Sequence, residues 1–144
     1  MEKYKVLLVD DEAEVIEVIE QRIQWDDLGF TVVGNATNGV KALELVEKLQ
    51  PDVVITDIKM PYMDGLELSR RLNRDYQNIH IIIFTGFDEF EYAKEAVHLE
   101  VEEYMLKPIN ATELSDCLKR LKDTLDRERE EKLNVTRLEN YFNA

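Results

Sequence analysis

Acidic residues follow two apolar segments of the chain, at the points where each segment would end as a buried strand. Residues 6–9 lead into Asp10 and Asp11, and residues 53–56 lead into Asp57. Parallel strands deliver the residues at their carboxyl ends to one edge of a sheet, so these carboxylates are predicted to form a compact anionic pocket. Such a pocket favours a divalent cation and offers one carboxylate as a nucleophile.

Two further polar residues stand at predicted strand ends. Thr85 ends the apolar segment 79–85, and Lys107 follows the short segment 103–106. Alone, they would be interpreted as an ordinary strand threonine and a solvated lysine. Beside a carboxylate nucleophile, a hydroxyl and an ammonium can hold two oxygens of a phosphoryl group, whose transfer depends mostly on positioning and charge neutralisation. The pattern therefore predicts an aspartate site that accepts a phosphoryl group.

Apolar segments alternate with amphipathic ones along the chain, a pattern typical of βα units around a parallel sheet. Strands are predicted over residues 5–9, 31–36, 52–57, 79–85 and 103–106. Helices are predicted over about 12–24, around 42–49, over 66–74 and 88–99, and from Thr112 onward, with Thr112 as the cap of the last one. Strict alternation of five strands with five helices predicts a doubly wound α/β fold with one five-stranded parallel sheet. Its ligand should lie outside the carboxyl ends of the strands.

The last predicted helix carries a stripe of leucines at alternating spacings of four and three: Leu114, Leu118, Leu121 and Leu125. Packing of this stripe against the sheet is the simpler interpretation, and a dimer contact through the outer face of the helix is the alternative. Every residue over 126–132 is charged, and residues 133–144 have weak periodicity. We therefore expect one domain over residues 1–125 and a helix extension over 126–144 that frays into a linker toward a missing domain.

The composition is that of a globular domain, with 144 residues of which 44% are hydrophobic and 34% charged. The formal net charge of −13 argues against nucleic-acid contact by this segment, because phosphate backbones are bound by basic patches. No apolar segment reaches membrane-spanning length, and no signal peptide is recognisable. The single cysteine, Cys117, is expected in the core of a cytoplasmic protein. His80 and His98 are isolated in the sequence and are interpreted as structural.

In this order and at these element ends, five short motifs resemble the receiver domain of two-component response regulators. They are Val9-Asp10-Asp11, Asp57-Ile58-Lys59-Met60-Pro61, Met63-Asp64-Gly65, Thr85-Gly86 and Tyr104-Met105-Leu106-Lys107-Pro108. The resemblance covers roughly residues 3–122. Within the family, residues 25–30 and 87–94 are similar to regulators that carry an AraC-type helix-turn-helix domain.

The resemblance implies a flavodoxin-like (βα)5 fold and a role for each site residue. Asp57 would be the phosphoryl acceptor, and Mg²⁺ would be held by Asp10, Asp11, Asp57 and the backbone carbonyl of Lys59. Lys107 and Thr85 would contact phosphoryl oxygens, and the Lys107–Pro108 peptide would be cis.

The resemblance also implies a switch and a set of partners. Thr85 would move toward the phosphoryl group and Tyr104 would rotate inward. The surface formed by the fourth predicted helix, the fifth strand and the fifth predicted helix would then change and favour a homodimer. A sensor histidine kinase would supply the phosphoryl group, and DNA would be contacted only through a missing C-terminal domain. The chain would not be an enzyme for an external metabolite, although it would catalyse its own phosphoryl transfer and dephosphorylation.

Two alternative functions fit these residues less well, and two others stay open. A phosphatase of the haloacid-dehalogenase type needs a second acid two residues after its nucleophile, where Lys59 stands. A nucleotide or flavin binder on this fold needs a glycine-rich first loop, whereas residues 11–14 are mostly acidic. A phosphorylation-independent interaction module and a stand-alone regulator without an output domain both stay open.

Overall fold

The structure is a computed structural model that describes residues 2–89 and 99–143. Its sheet has five parallel strands in the order β2-β1-β3-β4-β5. The strands are β1 Tyr4–Val9, β2 Phe30–Ala36, β3 Val53–Asp57, β4 His80–Thr85 and β5 Glu103–Leu106. The strand order reverses between β1 and β3, which is the position at which ligands bind in doubly wound folds. The predicted fold class is confirmed.

Five helices connect and extend the strands within the described ranges. They are α1 Ala13–Arg22, α2 Trp25–Leu28, α3 Gly39–Leu49, α4 Gly65–Asp75 and α5 Ala111–Asn143, with a 3₁₀ turn at Phe87–Glu89. The first predicted helix is shorter than expected, because the chain is extended at Ile23 before the single turn of α2. Gly29 then ends α2 in the left-handed conformation, with a φ of 89°. Most of the fourth predicted helix, residues 90–98, lies outside the described residues.

Both faces of the sheet are covered, which explains why the central strands lack polar alternation. Alternate residues of β1 enter two separate apolar clusters, since successive strand side chains point to opposite faces. Leu8 packs in the cluster that contains α1 and α5, and Leu7 packs in the cluster that contains α3 and α4. All five residues of β3 are buried.

The leucine stripe of α5 packs against the sheet, as the simpler interpretation predicted. Its four leucines are at most 5% exposed, and Cys117 is buried beside them. The cap of this helix differs from the prediction: the Asn110 side chain, rather than that of Thr112, accepts a hydrogen bond from the backbone N–H of Glu113 at 3.0 Å.

The helix α5 does not fray at the charged segment but continues to Asn143. Every residue over 130–143 is exposed, so the helix continues past the point near residue 129 where its contacts with the sheet end, and a domain boundary at residue 125 stays a prediction. We call residues 126–143 the extension of α5. Among the helices described, none has both the length and the apolar character needed to span a bilayer.

Candidate phosphoryl-acceptor site

Four predicted site residues lie at the carboxyl ends of neighbouring strands. Asp10 follows β1, Asp57 ends β3, Thr85 ends β4 and Lys107 follows β5. The backbone holds these ends in register, since Lys107 donates its N–H to the carbonyl of Thr85 at 2.7 Å. The parallel pairing predicted from the apolar segments therefore brings these residues to one edge of the sheet.

Asp57 is nearly buried and is contacted by one cation. It is 5% exposed, and its Oδ1 accepts a hydrogen bond from the backbone N–H of Ile58 at 2.9 Å. Lys107 Nζ lies 3.1 Å from the same oxygen and 3.6 Å from Oδ2 of Asp10. Two buried carboxylates thus share one ammonium, and the Lys107–Pro108 peptide that follows is cis, as expected.

The pKa values of two carboxyl groups in this site are raised. Burial, with a smaller contribution from the negative charge of Asp10, raises the pKa of Asp57 to about 6, against the opposing effect of Lys107. Burial also raises the pKa of Asp10, although the backbone N–H of Glu12 donates to its Oδ1 at 2.9 Å. Burial alone would lower the pKa of Lys107, but the contact with Asp57 more than reverses this. The site therefore holds more negative charge than Lys107 can balance.

The acidic residues are suited to a hard divalent cation. Within the described ranges, carboxylate oxygens of Asp10, Asp11 and Glu12 lie within 4.8 Å of one another. All three side chains offer carboxylate oxygens, the type of ligand that Mg²⁺ prefers. Such an ion would also neutralise the negative charge that Lys107 leaves uncompensated on Asp10 and Asp57. Lys59 stands two residues beyond Asp57 in the loop after β3, and its side chain is exposed. Its carbonyl as a further ligand stays a prediction.

Two hydroxyl groups near this edge are buried without a hydrogen-bond partner among the described residues: Oγ1 of Thr85 and the phenol oxygen of Tyr104. Thr85 is completely buried, and Tyr104 is partly buried on β5 opposite Ile83. An unpaired buried hydroxyl costs about 1–3 kcal/mol, and native proteins keep few of them. The two predicted switch residues are therefore those whose polar groups the structure leaves unsatisfied.

Sequence reasoning missed the importance of Gly65, which lets α4 approach the backbone of Asp57 closely. Its N–H donates to the carbonyl of Ile58 at 2.7 Å, and a Cβ at this position would lie 2.2 Å from the carbonyl oxygen of Asp57. Asp64 caps the helix by accepting from the N–H of Glu67 at 2.8 Å. The available signal was the motif Met63-Asp64-Gly65 ahead of an amphipathic segment, which was used for the family resemblance without a role for Gly65.

Comparison with known proteins gives a consistent result. The family model described as the response regulator receiver domain matches residues 6–119. The uncharacterized transcriptional regulatory protein YesN of Bacillus subtilis is 42% identical over 125 residues, which are 87% of this chain and 34% of that protein. The transcriptional regulatory protein HptR of Staphylococcus aureus is 38% identical over 122 residues, 85% of this chain and 48% of that protein. The chain thus spans between a third and a half of the length of these relatives.

Solved structures with the same architecture include receiver domains of transcription regulators. The REC domain of the response regulator AraT from Geobacillus stearothermophilus is 40% identical, with a TM-score of 0.83 over 88% of this chain and 98% of that one. The two component transcriptional regulator AraC from Clostridium phytofermentans is 31% identical, with a TM-score of 0.82 over 88% of this chain and 98% of that one. The chain therefore belongs to the response regulator receiver domain family.

Proposed function

We propose that this chain is a phosphorylation-activated receiver domain that accepts a phosphoryl group on Asp57 from a sensor histidine kinase. The observation that carries the proposal is the position of Lys107, whose ammonium lies between the buried carboxylates of Asp57 and Asp10. A buried carboxylate with an ammonium beside it is suited to attack phosphorus and to hold the transferred group.

The two oxygens of Asp57 have different surroundings. Oδ1 receives the N–H of Ile58 and the ammonium of Lys107, whereas no described group donates to Oδ2. Oδ2 is therefore the oxygen that attacks. A new bond forms between Oδ2 and phosphorus, the bond from phosphorus to the donor breaks, and its electron pair leaves with the donor. Lys107 then neutralises part of the charge on the phosphoryl oxygens.

Receiver domains generally bind Mg²⁺ at an acidic pocket. In this chain Asp10, Asp11, Asp57 and the backbone carbonyl of Lys59 would hold the ion. When bound, Mg²⁺ neutralises charge on the phosphoryl oxygens and on the carboxylates around them. The burial that raises the pKa values of Asp10 and Asp57 supports this assignment, because two buried carboxylates that share the ammonium of Lys107 would be stabilised by a further cation.

Phosphorylation would recruit the two unsatisfied hydroxyl groups. A phosphoryl group brings nearly two negative charges and several acceptor oxygens to Asp57, and the hydroxyl of Thr85 can donate to one of them. Movement of Thr85 would open space for Tyr104 to rotate inward. The surface of β5, α5 and the fourth predicted helix would change and favour a homodimer, although most of that helix lies outside the described residues.

The output belongs to another part of the protein. Relatives of this chain are transcriptional regulatory proteins, and the match covers only 34% and 48% of their length. The net charge of −13 is unsuited to DNA contact by this domain. We therefore propose a cytoplasmic signalling domain, not an enzyme for a metabolite, that controls a DNA-binding domain. It would catalyse only its own phosphorylation and dephosphorylation.

The direct test is the intact mass of the chain after incubation with Mg²⁺ and acetyl phosphate. We expect the gain of one phosphoryl group, dependent on Mg²⁺ and absent in Asp57→Asn. Asp123→Asn, which removes an exposed carboxylate on α5, should be phosphorylated like the parent chain. If folded protein gains no mass under a fast acid quench, the proposal is wrong and the alternative of a phosphorylation-independent interaction module takes its place.

A further inference from the structure

His80 lies at the opposite end of the sheet from Asp57 and joins two acidic side chains. It is the first residue of β4, and its ring is largely buried. Nδ1 lies 2.8 Å from Oε1 of Glu102, and Nε2 lies 3.0 Å from Oε2 of Glu128. Both ring nitrogens therefore face a carboxylate oxygen at hydrogen-bonding distance.

These two contacts fix the protonation state of the ring. Ionised carboxylates only accept hydrogen bonds, and a neutral imidazole carries a single N–H. Because Glu102 and Glu128 both require a donor, His80 satisfies both only as the imidazolium cation. A neutral His80 retains one contact and places a nitrogen lone pair against the other carboxylate, which is repulsive.

The three residues belong to three separate elements. Glu102 lies in the loop before β5, where its backbone N–H donates to the carbonyl of Ile81 at 2.7 Å. Glu128 lies in α5, three residues beyond Leu125, the last buried leucine of the stripe. His80 thus links β4 and the start of β5 to the first turn of the α5 extension.

We propose that protonated His80 is a pH-sensitive clamp that holds the first turn of the α5 extension against β4 and the start of β5, and that this hold weakens when the ring loses its proton and keeps only one of its two contacts. This inference concerns the extension and not the phosphorylation of Asp57, so neither proposal depends on the other.

The charged groups around the clamp favour the cation. A groove of about 1520 Å³ separates the extension from this end of the sheet. Besides His80, Glu102 and Glu128, its charged lining consists of Asp52, Glu100, Arg129, Glu131, Lys132 and Glu139. Acids outnumber the permanent cations, so the surroundings as a whole stabilise a positive ring.

A second set of contacts holds the same helical turn on the side of β1. The Tyr4 hydroxyl donates to Oδ1 of Asp126 at 2.5 Å, and the guanidinium of Arg129 lies 4.2 Å from the centre of the Tyr4 ring. These contacts do not involve His80. When the contact with His80 weakens, the extension can move away from β4 and β5. Tyr4 still holds its first turn, so we expect a rotation of the extension about the contact with Tyr4.

The direction of the pH dependence follows from the contacts. Burial alone would lower the pKa of His80, but the hydrogen bonds to Glu128 and Glu102 reverse this and raise it above the ordinary 6.5. The stabilisation by the clamp is therefore complete below pH 6.5 and is lost as the pH rises through the raised value.

The test is a pH titration of the chain by NMR without any phosphoryl donor. We expect the His80 ring to titrate above 6.5 and the backbone amides of residues 127–132 to change with the same midpoint. Glu128→Gln should lower the ring midpoint by about half a pH unit, because a half-exposed carboxylate partner is lost. Glu131→Gln removes a neighbouring carboxylate of the same groove and should leave the midpoint nearly unchanged.

Two results would overturn the clamp. One is a His80 midpoint at or below 6.5, and the other is a midpoint that Glu128→Gln and Glu131→Gln change equally. Glu128 is about half exposed, so its replacement leaves the fold intact and the comparison remains possible. His80→Gln should abolish the pH response of the amides over 127–132.

Discussion

Lys107 Nζ lies 3.1 Å from Oδ1 of Asp57, so the ammonium already contacts the proposed acceptor in the unphosphorylated domain. It also reaches Asp10 at 3.6 Å and thereby shares both carboxylates with any divalent cation that binds there. Lys107 and a divalent cation held by these carboxylates would therefore neutralise the same negative charge.

Replacing Lys107 with methionine should strengthen Mg²⁺ binding while it weakens phosphorylation. Loss of the ammonium leaves more uncompensated charge on Asp10 and Asp57, so we expect about tenfold tighter Mg²⁺ binding. Isothermal titration calorimetry measures this change. Lys119→Met removes an exposed lysine of α5 and should leave the affinity unaltered. Weaker binding in Lys107→Met would contradict the shared-charge account.

The metal-free domain should gain stability when Asp57 is replaced by asparagine. Folding raises the pKa of Asp57 from its usual 3.8 to about 6, so the folded state favours the protonated form and ionised Asp57 is destabilising. At pH 7 in EDTA, Asp57→Asn should raise the free energy of unfolding by about 2 kcal/mol. The gain should shrink as the pH falls from 6 toward 3.8 and disappear below it.

Urea denaturation at several pH values measures this difference. Asp123→Asn, at an exposed position, is the control for the loss of one acidic residue. Saturating Mg²⁺ should reduce or reverse the gain in stability of Asp57→Asn, because the ion would stabilise ionised Asp57 in the parent chain. A destabilising effect of Asp57→Asn in EDTA at pH 7 would show that burial does not raise the pKa of this carboxylate.

Thr85→Val should leave the unphosphorylated domain as stable as the parent, or more stable by about 1 kcal/mol, because it removes a buried hydroxyl that has no partner among residues 2–89 and 99–143. The matched control is Thr56→Val. The Thr56 hydroxyl is equally buried but donates to the carbonyl of Asp57 at 2.9 Å, so its loss should cost about 1 kcal/mol. Thermal unfolding distinguishes the two variants. Equal destabilisation of both would mean that Thr85 is already satisfied in the resting state.

Gly65→Ala should displace the backbone at Asp57 and destabilise the domain. The added Cβ would lie 2.2 Å from the carbonyl oxygen of Asp57, so α4 or the end of β3 must shift, at a cost of about 2–3 kcal/mol. Gly86→Ala is the control, since the nearest atom to its Cβ would be at an ordinary 3.5 Å. We expect slower phosphorylation by acetyl phosphate and a lower melting temperature only for the Gly65 variant.

The sequence was most informative where a rule of topology applies. Apolar segments that end in polar residues predicted the strand ends, and parallel pairing then brought Asp10, Asp57, Thr85 and Lys107 together without any knowledge of distances. The roles of these residues in metal binding and switching remain predictions. Contacts that depend on tertiary structure left no comparable pattern: His80 looked isolated because its partners are 22 and 48 residues away in the chain.

The length of α5 was also hidden from the periodicity. Residues 126–132 have no apolar stripe, so the pattern predicted fraying at this point. Glutamate, arginine and lysine nevertheless have high helix propensity, and pairs such as Lys122 with Asp126 at 2.8 Å support adjacent turns. Intrinsic propensity therefore favours the helix over residues 126–132, where the apolar stripe has ended.

The helix α5 is continuous over 33 residues, so a small tilt at the base of its extension would displace the end of the helix by a larger distance. Residues 126–143 span about 27 Å along the helix axis, at 1.5 Å per residue, and all of those beyond residue 129 are exposed. A tilt of about 10° at its base would displace the tip by about 5 Å, a distance as large as one helical turn. A tilt too small to repack the core would thus produce a larger displacement at the end of the α5 extension. The stiffness of the helix would determine how much of the tilt reaches that end.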